Sequence, residues 1–241
     1  MKPFLGILLL FQTVWMAPAE ARTLKIYTID APPLTLDQPE RHGLVGDILL
    51  EAVRRAGFQP QLLVLPWRRA QAEVSTGEDL VIIPLSRTAE RENAFNWIAP
   101  VFDLERTFAT LGPPVDSVDQ AKREHKIVLV GMGSAQETYL AEAGFDRSQT
   151  IVQKIGNSEI EMLKSGQADA WFNSTAETLW KWKRAGETAK LTFGKPVTRD
   201  TIYVACSKRC SKDISVPLAR EIEAMTRDGT CRRIIDSYLV R

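Results

Sequence analysis

Residues 66–100 read PWRRAQAEVSTGEDLVIIPLSRTAERENAFNWIAP. In their middle, Leu80-Val81-Ile82-Ile83 is a continuous apolar run after a turn that contains Gly77. Four apolar residues bounded by turn signals suit a strand buried on both faces. Ser86, Arg87, Thr88 and Arg91 follow directly. In an open parallel sheet those residues leave from the carboxyl end of the strand, where such sheets bind ligands. Arginine's planar fork matches a carboxylate or phosphate bidentately, so the two guanidiniums and two hydroxyls read as an anion cradle. A solvated basic turn that opens a helix is the alternative these residues leave open.

On the amino-terminal side, residues 24–29 (LKIYTI) alternate and read as a strand that ends at the rigid turn Asp30-Ala31-Pro32-Pro33. Asp47 is placed to cap a helix over 48–56, with Ile48, Leu49, Ala52 and Val53 at helical spacing and Gly57 as its stop. A strand over 61–65 and a helix over 67–75 complete the order βαβαβ, the signature of a parallel α/β sheet. On the carboxyl-terminal side, a strand over 107–111 runs into Gly112-Pro113-Pro114, and the pattern starts afresh. Strands are expected at 126–130, 151–154 and 168–172. Helices are expected at 135–143, from an Asn157 cap to Lys164, and at 177–185. A strand returns at 199–205, and helices over 216–227 and 232–239 close the chain. The chain is expected to cross between two lobes around 111–114 and 196–198. Lobe 1 then comprises 22–110 with 199–241, and lobe 2 comprises 111–198.

The chain has 241 residues and a formal charge of +1, with no arginine-lysine block interleaved with aromatics, so no nucleic-acid partner is expected. Residues 1–21 read as an export signal: Lys2, an apolar core over 4–15, then the small-x-small site Ala19-Glu20-Ala21. No cysteine lies near that site to carry a lipid, so a free periplasmic protein starting at Arg22 is expected. Export permits disulfides. Cys206, Cys210 and Cys231 allow at most one bridge within the chain. The short spacing favours Cys206–Cys210, with Cys231 pairing to either left open.

Gly131-Met132-Gly133 follows a strand, but Gln136 stands where a dinucleotide fingerprint needs its third glycine, so no nucleotide cofactor is expected. The Ser134 hydroxyl with the helix amides behind it offers an anion site, or simply an N-cap. His42 and His125 lie far apart and the cysteines form no CxxC pair, so no metal site is expected. No GxSxG elbow is present.

Together with Gly43, Asp47 and Pro66-Trp67, the motifs PLSRTAERENAFNW, Gly133-Ser134-Ala135-Gln136-Glu137, LKSGQADAWF and DGTCRRIIDSYL carry a resemblance. The chain resembles the family 3 extracellular solute-binding proteins, the polar amino-acid-binding components of ABC importers, over nearly all of residues 22–241. The resemblance implies a two-lobed α/β periplasmic-binding fold of type II, each lobe a parallel-rich sheet flanked by helices, with two hinge strands. It implies that Arg91 clamps a ligand carboxylate, with Ser86 as a hydroxyl contact in the same turn. It makes Trp67 an apolar face against the ligand, and Ser134 the hydroxyl at the lobe 2 helix. Ala31 falls where many members carry an aromatic. Asp169 reads as structural.

After GQADAWF, many amino-acid binders place an aspartate for the ligand ammonium; here Asn173 and Ser174 stand instead and supply no countercharge. Arg87 adds positive charge. These departures point to a small carboxylate, a diacid among the candidates, over an ordinary α-amino acid. The expected function is periplasmic capture of an amino acid or related small carboxylate by a monomer, for delivery to an inner-membrane ABC permease. The alternatives are an enzyme on the same fold resembling cyclohexadienyl dehydratases, with Glu90 and Glu177 as its nearest acids, and a module that reports ligand to a membrane receptor.

Overall fold

The structure is a computed structural model that describes residues 21–156 and 158–239. The export signal, apart from Ala21, and the expected Asn157 cap lie outside the described residues. In chain order the strands are β1 (Thr23–Thr28), β2 (Gln59–Val64), β3 (Val81–Ser86), β4 (Phe95–Thr110), β5 (Val128–Gly131), β6 (Thr150–Gln153), β7 (Ala170–Ser174), β8 (Thr192–Phe193) and β9 (Thr198–Ser207). The helices are α1 (Leu44–Arg55), α2 (Trp67–Thr76), α3 (Val118–Arg123), α4 (Ala135–Glu142), α5 (Ser158–Lys164), α6 (Thr175–Arg184), α7 (Lys212–Arg227) and α8 (Thr230–Tyr238).

The strands form one sheet in the order β2-β1-β3-β9-β4-β7-β5-β6, with β8 on the side of β4. Within it, β2, β1 and β3 are parallel, as are β7, β5 and β6. The antiparallel pair β4 and β9 joins these two parallel sets, its register running from Phe95↔Ser207 to Arg106↔Thr198. In lobe 1 the sheet lies between a core fed by α1, α7 and α8 and another fed by α2. In lobe 2 it lies between cores fed by α3 and α4 on one face and by α5 and α6 on the other. Strand β3 is buried along its whole length, with Val81 and Ile83 in one core and Ile82 and Leu85 in the other. That is what a continuous apolar run in a doubly covered sheet requires.

The largest departure from the sequence reading is β4, whose strand signal was visible only from residue 107. Its first part breaks the two-residue period, because the register against β9 shifts between Trp97 and Ala99 and again between Pro100 and Phe102. Such bulges switch side chains between faces and erase the alternation that reveals a strand. At Arg106 the strand pairs with Thr198 of β9 on one side and Ser174 of β7 on the other.

A second correction concerns α1. It starts at Leu44, and Asp47 lies inside its first turn, where its carboxylate accepts the His42 amide at 3.1 Å and the Tyr238 hydroxyl. Gly43 precedes the helix at φ 83° and ψ 164°, a region that only glycine populates. A β-carbon there would meet the Leu34 carbonyl oxygen at 2.5 Å. Asp169, read as structural, accepts the Ile127 amide at 2.8 Å at the start of β5. Cys206 and Cys210 are bonded, with α-carbons 5.8 Å apart, and Cys231 is a buried free thiol. Among the described residues no helix is long and apolar enough to cross a membrane.

Gly43→Ala is expected to lower the unfolding free energy by roughly 3 kcal/mol, from backbone strain and steric overlap together. Gly57→Ala shares a positive φ but meets nothing within 4 Å, so only strain remains, about 1 kcal/mol. Urea unfolding midpoints compare the two. Non-reducing peptide mapping is expected to return the Cys206–Cys210 link and an unpaired Cys231; a link through Cys231 would refute this.

Candidate functional site

The carboxyl ends of β1 and β3 in lobe 1 and of β5, β6 and β7 in lobe 2 face one another across a cleft, as ligand sites do in open α/β sheets. The cavity there is about 60 Å³ in volume and is lined from both lobes. Lobe 1 contributes Ala31 after β1, Trp67 at the start of α2, Ser86 at the end of β3, and Arg91. Lobe 2 contributes Ser134 and Gln136 of the α4 start, Glu159 of α5, Asn173 of β7, and Glu177 and Lys181 of α6. Arg106 reaches in from the shared strand.

Arg91 is 7 % exposed. Its guanidinium donates to the Ser86 carbonyl at 3.2 Å and to the Gly133 carbonyl of lobe 2 at 2.8 Å. No carboxylate among the described residues forms an ion pair with it. Burial lowers its pKa to about 10, with Glu90 and Asp200 opposing the shift and Arg106 adding to it. It therefore stays charged at neutral pH while partnered only by neutral carbonyls. Arg106, 4 % exposed, is the opposite case. Its Nε donates to Asp200 at 2.8 Å, one terminal nitrogen lies 3.3 Å from Glu177, and the other donates to the Ser86 hydroxyl at 3.2 Å. One guanidinium thus holds two carboxylates, and one of these, Glu177, lines the cavity.

Of the residues singled out in the sequence, Trp67, Ser86, Arg91, Ser134 and Asn173 meet in this cavity. Arg87 does not. Its side chain points to the surface, pairs with Glu92 at 2.8 Å, and lies 5.4 Å from the Trp97 and Tyr203 ring centres. Glu92 foremost, then Tyr203, raises its pKa. A strand residue and its immediate neighbour point to opposite sides, so Ser86 facing the cleft sends Arg87 away from it. Ser174 is also displaced from the role expected of it. It is fully buried as the N-cap of α6, accepting the Glu177 amide at 3.1 Å and donating to Glu177 Oε2 at 2.7 Å. Asn173 faces the cavity and its carbonyl oxygen accepts from Gln136 at 2.7 Å. Ser134 lines the cavity while its hydroxyl caps α4 by accepting the Glu137 amide at 3.2 Å. Of the two acids considered for catalysis, Glu177 is in the cavity and Glu90 accepts from Thr138 outside it.

Arg106, Glu159, Lys181 and Gln136 were missed by the sequence reading. The signals that existed were slight: a charge inside the strand run LERTFAT, and a Glu177 to Lys181 step of four on α6. Across the cleft mouth, Arg68 pairs with Glu137 at 2.5 Å and Gln71 donates to the Gly133 carbonyl at 3.0 Å, so the lobes are closed on each other. A chamber of about 330 Å³ adjoins the cavity, with Ile29, Trp67, Ile155 and Lys181 as the shared wall. No group of three or more His, Cys, Asp or Glu side chains among the described residues is placed to hold a metal.

No protein-family model matches the chain, and no curated protein does. Solved structures do. The ligand-binding core of GluR0 from Nostoc punctiforme, in complex with L-glutamate, superposes with a TM-score of 0.78 at 20 % identity, over 90 % of this chain and 99 % of that one. A histidine kinase sensor domain described as similar to periplasmic binding proteins gives 0.82 at 14 %, over 91 % and 96 %. The arginine-, lysine- and histidine-binding protein ArtJ from Geobacillus stearothermophilus gives 0.78 at 18 %, over 90 % and 95 %. At these identities the likeness establishes architecture: the chain has the two-lobed α/β fold of the periplasmic binding proteins.

Proposed function

We propose that this chain is a periplasmic binding protein that captures a small amino acid or related carboxylate in the cleft for an ABC importer, without turning it over. Lobe 1, 22–110 with 199–241, and lobe 2, 111–198, would close on the ligand about β4 and β9. The observation that carries the reading is Arg91, a buried guanidinium with no carboxylate partner among the described residues, in a cavity shared by both lobes. A ligand carboxylate supplies the missing charge and fits the guanidinium fork. The neighbouring Arg106 carries two carboxylates, so the cavity offers one surplus cation and one surplus anion. A zwitterion matches both, with its ammonium toward Glu177. Arg87 lies outside the cavity, which removes the feature that favoured a diacid.

The closed cavity of about 60 Å³ is far below the roughly 300 Å³ at which pockets for drug-sized ligands begin, so the ligand is small. It enters when the lobes part, which breaks the Arg68–Glu137 and Gln71–Gly133 contacts. Structures with this fold whose descriptions name arginine or glutamate as ligand support the reading. The sensor-domain likeness favours a second reading, in which the same binding event is reported to a membrane receptor.

A thermal-shift screen of the L-amino acids and small organic acids is expected to find a ligand, which at a hundredfold excess over its Kd stabilises the protein by about 2.7 kcal/mol. Arg91→Ala is expected to weaken that ligand by about 30-fold to several-thousand-fold in calorimetry, with unchanged circular dichroism. Arg91→Lys is expected to recover only part of the loss, since an ammonium lacks the two-pronged geometry. Affinity of Arg91→Ala within threefold of wild type would place the anion site elsewhere.

A further inference from the structure

The same cavity contains a second buried ion pair, which the carboxylate-binding reading does not use. Glu159 stands in the first turn of α5 and is 2 % exposed; Lys181 stands on α6 and is 5 % exposed. Both line the cavity. Glu159 Oε1 accepts the Gly156 amide at 3.0 Å and the Lys181 ammonium at 3.3 Å. Lys181 also donates to the Gly156 carbonyl at 2.6 Å and lies 5.5 Å from the centre of the Trp171 ring. The two charges therefore cancel, and Lys181 is held in place from three directions. The other carboxylate oxygen, Glu159 Oε2, is buried and no donor among the described residues reaches it. Buried carboxylate oxygens without a donor are rare, because each forfeits its hydration with nothing in return.

We propose that Glu159, oriented by Lys181, is the specificity-determining acceptor for an uncharged hydrogen-bond donor on the ligand's side chain. The ligand class is then a small amino acid with a hydroxyl or carboxamide side chain. This deepens the proposed function and rests on its placement of the ligand in the cleft. Four classes of side chain can be weighed against the pair. An apolar one leaves Oε2 buried without a donor. A carboxylate offers only acceptors, so Oε2 stays without a donor, and Lys181 is already engaged by Glu159 and the Gly156 carbonyl. A cation approaches a glutamate whose charge Lys181 already cancels, and meets Lys181 itself. A hydroxyl or amide N–H meets the orphan oxygen and adds no charge. The cavity of about 60 Å³ favours short side chains.

Titration calorimetry on the full exported chain tests this with near-isosteric pairs: L-serine against L-alanine, L-threonine against L-valine, and L-asparagine against L-aspartate. The donor-bearing member of each pair is expected to bind about 5- to 150-fold more tightly, the range for leaving a buried polar group unmatched. Glu159→Gln presents an amide that can itself donate, and is expected to bring L-aspartate to within threefold of L-asparagine. Glu159→Asp keeps the charge but withdraws the oxygen, and is expected to weaken L-serine. The wild-type comparison of pairs stands even if a variant fails to fold. Equal affinities within the pairs, or an apolar or acidic amino acid that binds more tightly and still depends on Arg91, overturns the role of Glu159 and leaves the cleft reading intact. Binding of no amino acid, or binding indifferent to Arg91→Ala, overturns the cleft reading and this one with it.

Discussion

Arg106 is the residue on which the two lobes converge. It occupies the position in β4 where β9 still pairs on one side and β7 begins on the other. Its three polar contacts reach three other elements: Ser86 at the end of β3, Asp200 in β9, and Glu177 on α6. A buried ion pair of this kind adds little net stability over a well-packed apolar cluster, since desolvation consumes most of the Coulomb gain. Its value is geometric. One rigid guanidinium fixes the end of a lobe 1 strand against the start of a lobe 2 helix. Removing it would strand two buried carboxylates, so the arrangement holds together as a set or fails as a set.

The electrostatics of the cleft follow from that set. Because Asp200 and Glu177 are both committed to Arg106, neither pairs with Arg91. Arg91 is left with two carbonyls, one from each lobe, and its charge is retained against a desolvation that lowers its pKa. The closed arrangement of the lobes thus does two things at once. It buries the cation, which raises the value of any anion placed beside it, and it excludes the water that would otherwise compete. The Gly133 carbonyl ties Arg91 of lobe 1 to lobe 2.

The parts of this site legible in the sequence were those tied to backbone patterning. The apolar run of β3 placed Ser86 at a strand end and Arg91 in the turn beyond it, and the restart of the βα pattern placed Ser134 at a helix start. Arg87 is not legible in the same way, because alternate residues leave a strand end in opposite directions and Arg87 turns to Glu92. The charges on α5 and α6 were illegible for a different reason. On α6 the buried stripe is Glu177, Thr178, Lys181 and Trp182, while Leu179 faces out at 37 % exposure. Hydrophobic periodicity would bury the leucine and expose the glutamate and lysine. Only the cleft, a tertiary feature, reverses that preference.

Two of the three lobe 2 helices that line the cleft, α4 and α6, begin in the same way. A free helix N-terminus would itself bind an anion through its unpaired amides and dipole. Both α4 and α6 instead begin with serine followed three residues on by glutamate, Ser134 with Glu137 and Ser174 with Glu177. In each, the serine hydroxyl accepts the glutamate's amide. Each glutamate then turns back, Glu137 to the Gly133 amide and Glu177 to the Ser174 hydroxyl. A negative charge thus sits at the positive end of each helix, and one first-turn amide of each is engaged by the serine. These charges oppose an anion at the starts of α4 and α6, while Arg91 keeps only carbonyl partners. Glu177, already placed by its capping duty, becomes the negative wall facing it. The polarity of the cleft is set by where two helices keep their caps.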